Sequence, residues 1–293
     1  MSASFYDTEI SKVIAQEWRN GATTEELRKK YGYKTKKSIL DKLKKEGITT
    51  VDFKSRREEL KGYSLDLSVI DDEFKAYFLG LMATDGYLSC SRDNACGIDL
   101  TDEDCIKAIS DYTGKEYQQY DKSSYNMTQT KYDIHTKKAV YRIRFDSADL
   151  VQELKKRGID ENKSLTIKQV KLFGEEQKYY PLVIRGIIDG DGTISRRCDG
   201  QVYLKICSAS KDFAEWIKDI LEQRMFFENV AFYQKDLKDR NPIYEVFTSS
   251  AKNIELLRLL SYYSPLGMAR KRDFLLGRRS ETIIEPSLRE KMV

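Results

Sequence analysis

Two apolar runs in this chain end in the same way, 106 positions apart, and they restrict the folds open to it more than any other feature. The first is Phe78-Leu79-Gly80-Leu81-Met82-Ala83-Thr84-Asp85-Gly86; the second is Ile184-Arg185-Gly186-Ile187-Ile188-Asp189-Gly190-Asp191-Gly192. Each sets small residues four apart, Gly80 and Thr84 in one and Gly186 and Gly190 in the other. Helices with such a stripe can approach backbone to backbone. Each run then stops at Asp-Gly, which predicts one carboxylate at each helix end. Packing the two helices together makes Asp85 and Asp191 neighbours. Adjacent carboxylates repel unless a cation lies between them, so the pair asks for a divalent metal and points to hydrolytic chemistry.

What flanks the runs is also repeated. Asp71-Asp72-Glu73 opens the first helix with acids where the helix dipole favours them, and Tyr180-Pro181 opens the second with proline in the first turn. After each Asp-Gly the pattern predicts strand, strand, helix: 87–89, 97–100 and 103–112 in the first copy, 193–195, 202–207 and 211–223 in the second. Another strand pair ends in Tyr141-Arg142-Ile143-Arg144-Phe145 and in Tyr244-Glu245-Val246-Phe247, each followed by a helix (147–157; 251–260). Lys163 and Lys271 then follow their respective aspartates at nearly equal distances. The expectation is an α+β protein of two half-domains, 67–174 and 175–293, related by a pseudo-two-fold axis.

Residues 1–48 predict a small all-α unit. Ile10, Val13, Ile14 and Trp18 form a helical stripe, 23–31 a second helix, and 34–45 a third, with lysines 34, 36, 37, 42, 44 and 45 outward. The arrangement is similar to a helix-turn-helix, which assigns Lys36 and Lys37 to DNA. Residues 49–66 are highly charged and read as a linker.

Composition narrows the chemistry. The single histidine, His135, rules out two-histidine zinc sites and histidine-rich nuclease sites. Five cysteines without a CxxC pair read as free thiols. The net charge of +4 does not by itself demand a polyanion, but 51 Lys and Arg are interleaved with 19 tyrosines. No apolar run approaches a membrane span, and Met1–Asp7 lacks a signal h-region, which predicts an intracellular protein.

The paired runs resemble the signature motifs of the LAGLIDADG homing endonucleases, of the single-chain, two-motif type. The resemblance covers residues 71–280. It implies αββαββα half-domains packed through their motif helices, with a saddle of antiparallel strands over the DNA major groove. It further implies that Asp85 and Asp191 hold Mg2+, with Mn2+ able to substitute and Ca2+ supporting binding without cleavage. No metal role falls on the Thr84 backbone. Lys163 and Lys271, with Arg270 close behind, take the position of the basic residue that relieves charge at each scissile phosphate. Only one acid position is filled in both motifs, so Asp189 reads as a cap or supporting group.

Groove reading falls to strand and turn residues: Arg92, Arg142, Arg144, Arg196, Arg197, Gln201, Tyr203, Lys205, Gln234 and Lys235. Alternation puts Arg142 and Arg144 on one strand face. The function implied is site-specific hydrolysis of double-stranded DNA at a long asymmetric target, by a monomer. The alternatives are an intron RNA-binding maturase and a non-catalytic DNA-binding regulator.

Overall fold

The computed structural model describes residues 3–49, 63–89, 94–120, 139–238 and 241–277, and for residues 3–8 the backbone alone. Cys90, Arg92, His135 and most of the 49–66 segment lie outside the described residues. The chain divides into two compact units, 1–62 and 63–293.

The first unit contains α1 (Ala3–Arg19), α2 (Thr24–Lys30) and α3 (Lys36–Lys45). A capping box starts α2: the Thr23 hydroxyl accepts the Glu26 N–H, and the Glu26 carboxylate accepts the Thr23 N–H at 2.7 Å. The third helix begins two residues later than predicted, because Thr35 takes the N-cap position and accepts from Ser38. Ile14, Ala15, Trp18, Leu27, Ile39, Leu43 and Ile48 make the core. Val13 is 47% exposed, off the stripe that Ile10, Ile14 and Trp18 form at four-residue spacing. Lys42 also departs from the predicted outer face: it is buried, with its ammonium 5.5 Å from the Tyr33 ring centroid.

The second unit is built on two motif helices, α4 (Glu73–Ala83) and α8 (Tyr180–Asp191). After α4 come β1 (Gly86–Ser89), β2 (Ala95–Leu100), α5 (Glu103–Thr113), β3 (Gln118–Tyr120), β4 (Val140–Phe145), α6 (Ala148–Lys156) and the single turn α7 (Lys163–Thr166). After α8 come β5 (Gly192–Arg196), β6 (Val202–Ser208), α9 (Lys211–Gln223), β7 (Ala231–Lys235), β8 (Ile243–Thr248), α10 (Ala251–Leu260) and α11 (Ala269–Leu276). Both sheets are antiparallel and share one order, β1-β2-β4-β3 and β5-β6-β8-β7. Their registers match too, Ile98 opposite Ile143 in one and Ile206 opposite Val246 in the other. This is the α+β double half-domain that the duplicated pattern predicts, with one continuous hydrophobic core. Among the described residues, Cys96, Cys105, Cys198 and Cys207 form no disulfide. Among the described residues no helix is long and apolar enough to cross a membrane.

The motif helices touch at their glycines. A Cβ on Gly80 would lie 2.1 Å from the Val183 carbonyl oxygen, and one on Gly186 would lie 2.2 Å from that of Tyr77. Backbone occupies the space any side chain would need. The helices end differently, however. α8 runs through Asp191, whereas α4 stops at Ala83 and leaves Asp85 beyond its cap. The Thr84 hydroxyl donates back to the Gly80 and Leu81 carbonyls at 3.2 and 3.1 Å, competing with helix continuation. Gly190, at the matching position, has no such group.

A buried ion pair ties the entrances of both motif helices. Arg157, 1% exposed at the end of α6, donates to both oxygens of Glu176 at 2.8 and 3.0 Å and to the carbonyls of Leu67, Ser68 and Lys171. Glu176 also accepts the Ile70 and Phe173 N–H groups. Burial pushes the Glu176 carboxyl up, but Arg157 and the two amides outweigh it and hold it at about 2.

Candidate functional site

Asp85 and Asp191 meet where the motif helices end. The seam that brings Gly80 against Gly186 carries on to Gly190, where an added Cβ would lie 2.1 Å from Thr84 Oγ1 and 3.1 Å from Asp85 Oδ2. Asp85 is half-buried, while Asp191 keeps an open side toward the cleft. Burial within the surrounding protein, and then the Asp191 charge, push the Asp85 carboxyl up to about 6. The protein packed around the other side of Asp191 raises its carboxyl as well. Neither carboxylate accepts a hydrogen bond from the described residues. Two neighbouring acids with no donor among the described residues gather uncommitted lone pairs at this point.

Lys163 and Lys271 lie beside this point, but their ammonium groups turn inward. Lys163 Nζ donates to the carbonyls of Thr84 (2.8 Å) and Gly86. Lys271 Nζ donates to those of Ile188 (2.5 Å), Asp189 (2.7 Å) and Gly192 (2.8 Å), which uses all three of its protons. The carbonyls at a helix C-terminus lack intrahelical partners, and a cation there satisfies them and the dipole together. The lysines thus cap the motif helices, a task different from the phosphate contact that the resemblance implies for them. Burial lowers both pKa values. Their fields cross the seam: Lys271 pulls Asp85 down more than Lys163 does, and Lys163 acts more strongly on Asp191. Arg270, in contrast, is engaged with Asp102 at 2.6 Å.

Asp189 is fully buried and supports the second motif helix, as its unpaired status in the repeat suggests. Its carboxylate accepts from the Tyr77 hydroxyl, the Tyr262 hydroxyl and the Met268 N–H at 2.9, 2.9 and 3.0 Å. Arg185, one turn earlier and also fully buried, donates to the Ser261 and Ser264 carbonyls. Its guanidinium stacks 4.6 Å from the Tyr262 centroid and 5.8 Å from that of Tyr77. The repeat pattern does not single out Arg185, although an arginine four residues before an aspartate inside an apolar run is the signal that marks it.

The strands carry cations, and four of them are answered by acids, while Arg196 donates to the Gly200 carbonyl. On the first sheet Arg142 makes a two-pronged pair with Asp99 and lies over the Tyr120 ring, while Arg144 pairs with Asp146. Both arginines share the face opposite buried Ile143 and Phe145, as alternation predicts. On the second sheet Glu245 holds Lys235 at 2.8 Å with Lys205 at 3.9 Å. Tyr203 lies on that same face, its ring 5.7 Å from Phe247. Arg197 and Gln201 belong to the exposed turn between β5 and β6. Gln234 and Arg196 fall on the opposite side of the sheet from Lys205, because neighbours along a strand alternate. Lys36 pairs loosely with Glu25 at 3.6 Å, and Lys37 is exposed.

Residues 179–259 match the family model described as a LAGLIDADG-like domain. The match is confined to that stretch of the second half. It runs from the entrance of α8 almost to the end of α10 and contains Asp191, whereas Lys271 lies beyond it. No curated protein matches the chain. Among solved structures, the chain is similar to the homing endonuclease I-WcaI bound to its DNA recognition sequence, with 13% identity over 73% of this chain and 89% of that one, at a TM-score of 0.45. It is also similar to the N-terminal LAGLIDADG domain of DUF199/WhiA, with 12% identity, 78% and 91% coverage and a TM-score of 0.41. A third similar structure is I-DmoI Q42AK120M with its nicked target DNA and Mn, at 15% identity, 67% and 98% coverage and a TM-score of 0.40.

The donor set fits a hard divalent cation. Among the described residues no three metal-binding side chains gather. Mg2+, however, keeps several waters and is held by one or two carboxylates plus substrate phosphate oxygens. The second half supplies Asp191 and the first half supplies Asp85, while the nearby carbonyls are taken by lysines. Beside Asp191 opens a cleft of about 290 Å³ lined by Ser164, Ile167, Asp191, Cys207, Ser208 and Phe213, among others.

Proposed function

We propose that this chain is a metal-dependent, site-specific endonuclease of double-stranded DNA, acting as a monomer at a long asymmetric target. One observation carries the reading. Asp85 and Asp191 are crowded together, both pushed up by burial and Asp85 by its neighbour's charge as well, and neither is given a hydrogen-bond donor among the described residues. A structural role would supply donors, as Asp189 and Glu176 receive. A site kept for a cation would not.

When bound there, Mg2+ would lower the pKa of water and offset charge on the phosphoryl oxygens. Asp85 and Asp191 would hold it and orient that water. Lys163 and Lys271 would keep the helix ends, and hence the carboxylates, in place. The cations of the two sheet faces, half-buried Arg142, Arg144 and Lys205 and exposed Lys235, would exchange their acid partners for phosphates and base edges, with Tyr203, Arg197 and Gln201 beside them. Lys36 and Lys37 of the N-terminal unit would add flanking phosphate contacts.

The test is incubation of a randomised duplex library with Mg2+, with Ca2+ as the control, followed by sequencing of the new ends. Recovery of one long asymmetric site cut on both strands only with Mg2+ is the expected result. Tight duplex binding without cutting would overturn the activity and leave a DNA-binding regulator. Failure of both would overturn the DNA reading and direct the search to intron RNA.

A further inference from the structure

Asp189 makes contacts that no described residue of the first half repeats, and those contacts lead to Lys271. Its Oδ2 accepts the N–H of Met268, the N-cap residue of α11, and Lys271 stands in the first turn of that helix. Lys271 in turn donates to the Asp189 carbonyl and to the carbonyls of Ile188 and Gly192 at the same helix end. One residue of α8 therefore grips α11 twice, at its start through the side chain and through Lys271 by the backbone. Gly267 permits the approach: a Cβ there would lie 2.4 Å from Asp189 Oδ2, at a φ of +85° that side chains rarely adopt. Tyr262 holds the other oxygen, and Tyr77 reaches across the seam from α4 to share Oδ2. Arg185, stacked on both tyrosine rings, keeps them in place.

In the first half Ala83 stands where Asp189 does, and Lys163 sits on a single helical turn with two acceptors rather than three. We propose that Asp189 is a positioning residue for one of the two strand cuts, acting through α11 and Lys271 while the other cut proceeds without it. The proposal rests on the endonuclease reading above. Release of α11 would loosen the cap on one motif helix only, so one carboxylate end would lose its orientation before the other.

The duplex recovered by the selection is labelled at both 5′ ends and cut under single-turnover conditions with Mg2+ by the wild type, Asp189→Asn and Tyr262→Phe. Asparagine offers one acceptor oxygen in place of two and cannot serve three donors. Asp189→Asn is expected to slow one strand about tenfold more than the other, with duplex affinity in Ca2+ unchanged. Tyr262→Phe, which removes a single donor, is expected to shift the same strand ratio in the same direction by less. It decides the matter alone if Asp189→Asn does not fold. Equal slowing of both strands, or an unchanged ratio, overturns the positioning role and leaves the endonuclease standing. A wild type that cuts neither strand overturns the endonuclease reading, and the inference with it.

Discussion

Where α4 carries Leu79, and Ala83 and Thr84 close it, α8 carries Arg185, Asp189 and Gly190, yet both helices bury the same face and meet at a matched pair of glycines. The halves also differ in where they place their buried arginine. In the first half Arg157 stands outside the motif helix, paired with Glu176 and bonded to loop carbonyls. In the second half Arg185 stands inside the motif helix, and among the described residues it meets carbonyls and rings but no carboxylate directly, with two of its nitrogens left without a partner. The difference separates what the duplicated fold requires from what each copy adds. The glycine seam and terminal aspartate recur, whereas polar anchoring is solved anew in each copy.

Substitution of the terminal aspartates is the most severe test of that division. If both copies serve one metal site, Asp85→Asn and Asp191→Asn each reduce double-strand cleavage at least about a thousandfold, with duplex binding in Ca2+ retained. Normal-rate cutting of both strands by either variant would break the equivalence.

The anchors should differ in stability instead. Glu176→Ala leaves the Arg157 charge buried alone and is expected to cost about 3–5 kcal/mol in urea unfolding. Arg185→Leu copies Leu79 and removes two unpaired nitrogens but strands the Ser261 and Ser264 carbonyls, and should cost about 1–3 kcal/mol, less than Glu176→Ala. Equal costs would mean that the second half leans on its arginine as heavily as the first.

The sign of the pH dependence is fixed by Asp85, whose carboxyl stands at about 6 against an ordinary 3.8. The folded state holds the extra proton between those values, so this contribution is full below pH 3.8 and disappears as pH rises through 6. Without metal, Asp85→Asn should therefore gain on the wild type by about 1–2 kcal/mol between about pH 4 and 7, allowing for partial solvent screening. Saturating Mg2+ should restore the wild type and not the variant. A metal-free pH profile identical in the two proteins would contradict the crowded pair.

Thr84 and Gly190 offer a finer comparison, since a methyl on Gly190 would strike the Thr84 hydroxyl oxygen. Gly190→Ala should destabilise in a Thr84 background and much less in Thr84→Gly, which also removes the Cβ that the methyl would meet at 2.7 Å, with a coupling of about 1 kcal/mol in a double-mutant cycle. Additive effects would mean that the clash is absorbed elsewhere.

The smallest effect is expected in the N-terminal unit. Removing the charge of Lys36 or Lys37 should weaken duplex binding and flatten its salt slope by about one unit for each phosphate left unneutralised. An unchanged slope would confine DNA binding to the two halves.

Legibility follows the range over which the physics acts. Periodicity, capping residues and Asp-Gly act within a few residues, so α9 is found at the predicted 211–223 and Ser147 is found capping α6. Repetition carries the argument further, since two copies of one pattern are enough to make Asp85 and Asp191 neighbours. Spacing also locates Lys163 and Lys271 but not the direction of their ammonium groups, which depends on unpaired carbonyls at helix ends. The early end of α4 turns on the Thr84 hydroxyl, a group that a reading of residue size alone passes over. Assigning both Gln234 and Lys235 to the groove neglects strand parity, which separates their faces. Tyr77 and Tyr262 lie 112 and 73 positions from Asp189, and nothing local to any of the three foretells their meeting.

The Gly80–Gly186 contact bears on how such a chain can drift. A seam of side chains is a lock in which each tooth must be recut when its partner changes. Here the facing surfaces are peptide carbonyls and α-carbons, which every residue carries alike. Where backbone meets backbone, neither copy needs a matching change in the other, and the constraint falls on the two glycines. Where side chains cross the joint, as Tyr77 does to Asp189 and Thr84 does to Gly190, the copies must change together, so the halves are free to become unlike only away from those pairs.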